Sequence, residues 1–235
     1  MRIQYKDIHN HLLPGVDDGF QHTADSLQAI KRMADAGCRD FVFTPHLNPD
    51  VYPDMDECGH TLAYQRLSQQ IPAEWGVTTA LAAEYMIVNG FEERVTSQAD
   101  TLHAYPDGSI LIEMSYFYRS PNLEQTIFEL NMAGLKPVLA HPERYLYMAD
   151  CLKDFDRIQD MGCRFQMNFM SLTGTYGKAS IKILTHLLRH GMYSFVATDL
   201  HSLSQLDKIL AGKPVGWRLR RLSSKFLDIN HSFTD

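Results

Sequence analysis

The chain has 235 residues, 45% of them hydrophobic and 21% charged, with 14 Gly and 10 Pro, a composition that excludes disorder, collagen and coiled coil. Twenty-two Lys and Arg against 28 Asp and Glu leave a formal charge of -6, which argues against a protein built to coat nucleic acid. No apolar run approaches the ~18 residues of a membrane span, and the N-terminal MRIQYKDIHNHLL is too charged for a signal peptide, so a cytoplasmic chain without stable membrane insertion is expected.

In chain order, Tyr5-Lys6-Asp7-Ile8-His9 reads as a first strand, followed by a helix over Ala24 to Ala36 whose Leu27, Ile30 and Ala34 recur at helical spacing before Gly37 ends it. Arg39 to Thr44 is a second strand; a Pro/Asp-rich loop leads to a helix over Thr61 to Ile71 and a third strand over Thr78 to Tyr85. Further strands are predicted at Ser109 to Met114, Lys136 to Ala140, Phe165 to Phe169 and Phe195 to Thr198, with helices near Leu123 to Ala133, Phe155 to Met161 and Lys178 to His190. Trp217 to Phe226 reads as a basic, partly amphipathic closing helix. The alternation implies parallel strands with crossover helices in one domain over residues 1–235, and a closed barrel or an open doubly wound sheet would both satisfy it.

The polar residues at the strand ends favour the barrel, which gathers them round one mouth. The first strand ends in His9-Asn10-His11, where alternation puts both imidazoles on one side. The others end in Thr44-Pro45-His46, Ala83-Glu84, Ile112-Glu113, Ala140-His141-Pro142-Glu143-Arg144 and Thr198-Asp199-Leu200-His201, so six of seven strands close on a metal-type ligand. Glu113 is the most telling, because a carboxylate closing the buried run Ile110-Leu111-Ile112 is costly to desolvate without a cation. Mixed imidazole and carboxylate donors without thiolate suit Mn, Fe, Co or Zn. His22, His60, His103, His186, His190 and His231 lie away from strand ends and read as solvated or merely packed. Four cysteines match neither a zinc ribbon nor a disulfide framework; Cys38 and Cys163, each after a helix-ending Gly, read as small buried hydrophobes.

Through these strand-end residues, the chain resembles the polymerase and histidinol phosphatase (PHP) superfamily, and within it the bacterial metal-dependent protein-tyrosine phosphatases of capsule and exopolysaccharide operons. The resemblance rests on the run Asp7 to Gly19 (DIHNHLLPGVDDG), Thr44-Pro45-His46, the segment from Ala140 to Arg144 (AHPER) and Thr198-Asp199-Leu200-His201, in the family's order. It implies a distorted (β/α)7 TIM-like barrel with a three-metal centre at the C-terminal strand ends, usually manganese, and carries over His9, His11, Asp18, His46, Glu84, Glu113, His141, Asp199 and His201 as ligands. Three divalent ions against four carboxylates would keep the mouth positive enough to draw in a phosphate dianion. The implied substrate is a phosphotyrosine protein, in particular the Tyr-rich tail of a bacterial tyrosine kinase controlling polysaccharide export.

Arg144 lies three positions after His141, close enough to fork two phosphate oxygens as the family's arginine does, and Glu143 reads as its orienting partner. After His201 the family carries an Arg-Pro segment; this chain instead has Ser202 to Lys208, with Lys208 as the candidate second basic contact. Tyr176-Gly177-Lys178 resembles a family F-G-K and reads as structural; Tyr52 and Tyr116-Phe117-Tyr118 are placed to flank an aromatic substrate or to pack the rim. Cys151 to Arg157 matches the C-x5-R spacing of thiol phosphatases, but it lacks glycine and carries Asp154 and Asp156, so it cannot cradle phosphate. A phenolate leaving group, with a pKa near ~10, needs less acid assistance than a serine alkoxide, which suits aryl phosphates. The rivals are a small-molecule phosphoesterase such as histidinol phosphatase, a nuclease-like phosphodiesterase, disfavoured by the acidic charge, and a non-catalytic metal-bound module.

Overall fold

The computed structural model describes residues 5–211; the basic segment at 217–226 and His231 lie outside the described residues. Among the described residues, nine strands run in chain order: β1 (Tyr5–Asp7), β2 (Cys38–Phe43), β3 (His46–Leu47), β4 (Thr78–Leu81), β5 (Glu84–Met86), β6 (Ser109–Glu113), β7 (Lys136–Ala140), β8 (Arg164–Asn168) and β9 (Tyr193–Ala197). Every pairing is parallel, in sheets of order β1-β2-β4 and β3-β5-β6-β7-β8-β9. The two sheets are pieces of one circuit. Pro45 interrupts the second strand because it has no N–H to donate, yet Thr44 N donates to Asn10 O on one side and Glu84 N to Pro45 O on the other, so β2 and β3 act as one strand and β4 and β5 as the next. At the other end Asp199 N donates to His9 O and His11 N to Leu200 O, and Asn10 bridges Leu200 in parallel, which returns β9 to β1. The circuit is the seven-position α/β arrangement that the alternation predicts.

Among the described residues, seven α-helices cover this circuit: α1 (Thr23–Ala36), α2 (Glu57–Ser68), α3 (Phe91–Gln98), α4 (Leu123–Met132), α5 (Lys153–Asp160), α6 (Gly177–Arg189) and α7 (Leu203–Ala211). α3 and α7 are additions to the sequence reading. α3 has only Phe91 and Val95 to bury, too brief a period to stand out, whereas α7 buries Leu206 and Ile209 and closes against α1. Inside the circuit sits a layer of Ile8, Val42, Ala82, Leu111, Val138, Ala140, Phe195 and Ala197, and separate apolar layers join the strands to α1, α2 and α7 and to α3–α6. The interior layer is capped at the strands' C-terminal ends by buried charge: His9, His11, Glu84, Glu113, His141 and Asp199 are all buried. Among the described residues, no helix is long and apolar enough to cross a membrane.

Candidate metal centre

The loop after β1 explains why its motif reads His-x-His and then Asp-Asp-Gly. His11 Nδ1 donates to Asp17 Oδ2 at 2.8 Å, and the same carboxylate accepts the backbone N–H of Gly19 at 2.9 Å and of His46 at 3.0 Å. Gly19 passes so close under His11 that a Cβ there would stand 2.3 Å from the His11 carbonyl, so only glycine fits. His9 is fixed the same way: its Nδ1 donates to Gln166 Oε1 at 2.8 Å, and Gln166 Nε2 donates to Met167 O, which settles the amide's orientation.

With both Nδ1 atoms donating, neutral His9 and His11 carry lone pairs on Nε2, and these face each other at 3.3 Å. Glu84 Oε2 lies 3.1 Å from His9 Nε2 and 3.4 Å from His11 Nε2, while Asp199 Oδ1 lies 3.4 and 3.3 Å from the same two atoms. Two imidazole nitrogens and two carboxylate oxygens thus converge in one buried cluster, a donor set that a cation at its centre would satisfy. His46 Nδ1 stands 3.1 Å from Glu84 Oε2 and 2.9 Å from Glu113 Oε1, and neither it nor Glu84 Oε2 has a partner in hydrogen-bond geometry. Three overlapping sets have donor atoms within 4.8 Å of one another: His11, Asp18, His46 and His201; His9, His11, Glu84 and Asp199; His46, Glu84 and Glu113. His141 joins through Glu84, with Nε2 3.1 Å from Oε1. All nine residues carried over from the resemblance therefore meet at one mouth. Asp18 is the outermost: its side chain is 60% exposed, and its Oδ1 stands 3.5 and 3.6 Å from the Nε2 atoms of His46 and His201.

Electrostatics follows this geometry. Burial alone would push the His46 imidazole down, but Glu113 and Glu84 outweigh it and hold its pKa at about 9. Burial likewise disfavours the charged Glu84 carboxylate, yet His9 and His46 hold it well below the ordinary range. Two of the backbone turns are strained: among the described residues, the only non-glycine positions with positive φ are His141 (32°) and Asp199 (50°). Each costs on the order of 1–3 kcal/mol and turns a strand end into the mouth.

Asp199 divides its oxygens. Oδ1 faces the imidazoles, whereas Oδ2 accepts Arg144 Nη1 at 2.6 Å and Asn168 Nδ2 at 2.7 Å. Arg144 thus sits at the mouth, its side chain 21% exposed. Glu143 does not orient it, contrary to the sequence reading: its buried carboxylate accepts Asn168 N, the Ser171 hydroxyl and the Tyr193 hydroxyl, tying β8 and β9 beneath the turn. Lys208 lies exposed on α7 and makes no ion pair with the described site residues; Gln205 of that helix reaches the site instead, donating from Nε2 to Asp199 O at 2.8 Å and accepting His201 N at 2.7 Å.

Sequence reasoning missed Asp17, Gln166, Asn168 and Gln205, which hold donors without being donors to the cluster themselves. A signal for two of them was present: Gln166 and Asn168 alternate with Phe165 and Met167 on one short strand, where an amide at every second residue is unusual. Tyr52 stacks on His46 with 6.4 Å between centroids, and Tyr116 packs beside His141 at 5.7 Å, while Phe117 is 90% exposed. The C-x5-R segment behaves as expected: Cys151 is exposed ahead of α5 and Asp154 pairs with Arg119. Cys38 and Cys163 are buried, and burial pushes the Cys163 thiol up to about 12.

Comparison with known proteins agrees with this geometry. Tyrosine-protein phosphatase YwqE of Bacillus subtilis is 28% identical over 201 residues, covering 84% of this chain and 77% of that protein. Tyrosine-protein phosphatase CpsB of Streptococcus pneumoniae is 25% identical over 205 residues, covering 84% and 83%. A solved chain from the crystal structures of YwqE and CpsB, metal-dependent tyrosine phosphatases, matches with a TM-score of 0.74 at 27% identity over 93% of this chain and 91% of that one. Histidinol phosphate phosphatase of Lactococcus lactis, solved with zinc, L-histidinol and phosphate, shares the fold with a TM-score of 0.54 at 12% identity over 94% of this chain and 93% of that one. Residues 5–209 match the family model described as capsular polysaccharide synthesis, CpsB/CapC, and the chain belongs to that family.

Proposed function

We propose that this chain is a single-domain, metal-dependent protein-tyrosine phosphatase acting in the cytoplasm on a phosphotyrosine protein, in particular the Tyr-rich tail of a bacterial tyrosine kinase that controls capsular or exopolysaccharide synthesis. The observation that carries the reading is the convergence of buried imidazole and carboxylate donor atoms beside an arginine whose remaining N–H groups have no partner among the described residues. His9, His11, Asp18, His46, Glu84, Glu113, His141, Asp199 and His201 are the residues that would hold three divalent ions, with manganese the first choice and Fe, Co or Zn compatible with the same donors. Bound there, the ions would supply positive charge for the phosphoryl oxygens and lower the pKa of the attacking water.

The chain's own residues do the rest. Asp17 and Gln166 fix the tautomers of His11 and His9, so that both Nε2 atoms point inward. Arg144 offers its free N–H groups to the phosphate oxygens and orients the ester for in-line attack. No cysteine takes part, and no covalent enzyme intermediate is needed. Lys208 is a further basic group close in sequence to His201, and a contact with bound substrate rather than a fixed place in the site is the role left to it. The YwqE and CpsB names support the tyrosyl preference, as does the aromatic rim of Tyr52, Tyr116 and Phe117. The deciding measurement is kcat/KM for a phosphotyrosyl peptide, a phosphoseryl peptide and histidinol phosphate on manganese-loaded protein. The phosphotyrosyl peptide should lead by about tenfold or more. A preference for histidinol phosphate would overturn the assignment.

A further inference from the structure

Arg144 is not held by Asp199 alone. Tyr116, from the loop after β6, places its ring centroid 4.3 Å from the guanidinium carbon, and Tyr176, from the turn before α6, places its own at 4.7 Å. Both are well inside the ~6 Å at which an aromatic face attracts a cation. The two rings come from different strand ends, and each is anchored in turn. Tyr176 accepts a hydrogen bond from Asn168 Nδ2 at 3.2 Å, the amide that also donates to Asp199 Oδ2. Tyr116 stacks on Tyr145 with centroids 6.2 Å apart and brings its hydroxyl to 3.5 Å from His141 Nε2.

An unrestrained arginine at a pocket mouth loses side-chain entropy when it grips an anion, and that loss weakens binding. Here the loss is taken during folding: one N–H is fixed by a carboxylate and the guanidinium is packed by two rings, leaving the other donors to meet a ligand. We infer that Tyr116 and Tyr176 are positioning residues for oxyanion recognition, their rings pre-setting the Arg144 guanidinium for the substrate's phosphate. This rests on the reading of Arg144 as the phosphate clamp. It gives Tyr176, which the sequence alone marks as structural, and Tyr116, which the sequence leaves between flanking a substrate and packing the rim, one shared role.

The test is calorimetric binding of inorganic phosphate to manganese-loaded protein, with metal content measured for every variant and KM and kcat for p-nitrophenyl phosphate alongside. Tyr116→Leu and Tyr176→Leu should each weaken phosphate binding and raise KM by about 3- to 10-fold, with kcat changed less and metal content unchanged. Tyr116→Phe and Tyr176→Phe keep the ring and should stay within about twofold of the parent. Arg144→Met should weaken phosphate by about 10- to 1000-fold, and in that background the Tyr→Leu changes should have no further effect. Tyr→Leu variants that are silent while Arg144→Met is damaging overturn the positioning role alone. Phe variants as weak as the Leu variants overturn it too, by assigning the effect to the hydroxyls, and so does a Tyr→Leu loss that persists in the Arg144→Met background. Unchanged phosphate binding in Arg144→Met removes the arginine reading and the inference with it.

Discussion

Two regions of this molecule bury histidine, and they do so to opposite ends. At the strand ends His9, His11 and His46 are packed among Glu84, Glu113, Asp17 and Asp199, and their imidazoles are held above the ordinary value although burial opposes it. Within α2, His60 is just as inaccessible, yet neither ring nitrogen has a hydrogen-bond partner, and burial pushes it down to about 4. Asp17, Glu57 and Asp56 pull the other way but do not offset burial, and His103 opposes them. Burial of an imidazole therefore says little about ligation; what marks the strand-end donors is a carboxylate facing a ring nitrogen.

The contrast breaks most sharply on removal of a shared donor. Glu84 approaches His9, His11, His46 and His141, so Glu84→Gln should remove most bound metal and reduce turnover to background, and chelation of the parent protein should reproduce the loss. Full activity in metal-free protein would make the strand-end histidines packing residues like His60.

A smaller effect sharpens the other side. His60 has a folded-state pKa depressed to about 4, below the unfolded value of about 6.5. As pH falls through that window the unfolded chain takes up a proton that the native chain refuses, so stability is full above about 6.5 and falls toward 4. His60→Leu removes this penalty. Its urea unfolding free energy should fall less than the parent's between pH 7 and 4.5, by on the order of 1–3 kcal/mol, with metal content and turnover at pH 7 unchanged. Parallel pH dependences would mean that His60 is solvated. The smallest effect belongs to Cys151→Ser, which should leave kcat/KM within about twofold, because the nucleophile is not a thiolate. Loss of activity with metal retained would revive the C-x5-R reading.

Much of the site was legible because each donor ends a strand, and a strand end is easily read: Glu113 after Ile110-Leu111-Ile112, His46 after Thr44-Pro45, Asp199 after Thr198. Legibility failed where a residue acts across the circuit. Gln166 serves His9 from 157 positions away, and Asn168 serves Asp199 from 31, separations that no local pattern reports. Glu143 misled for the same reason: it sits next to Arg144 in the chain, but its carboxylate finds Ser171 and Tyr193 in space. α7 carries its period in Leu203, Leu206 and Ile209, of which only Leu206 and Ile209 are buried, too short a run to stand out beside the longer helices.

The divided carboxylate of Asp199 has a thermodynamic corollary. Oδ1 belongs to the cation side of the mouth and Oδ2 to the guanidinium, so one rigid group is common to two equilibria. Whatever free energy a bound cation contributes to oxyanion affinity through it, a bound oxyanion must return to cation affinity in equal measure, since linkage is reciprocal. Product and ion would then leave less readily together than either does alone. Retention of phosphate would guard the ions against loss, at the expense of turnover whenever free phosphate is plentiful.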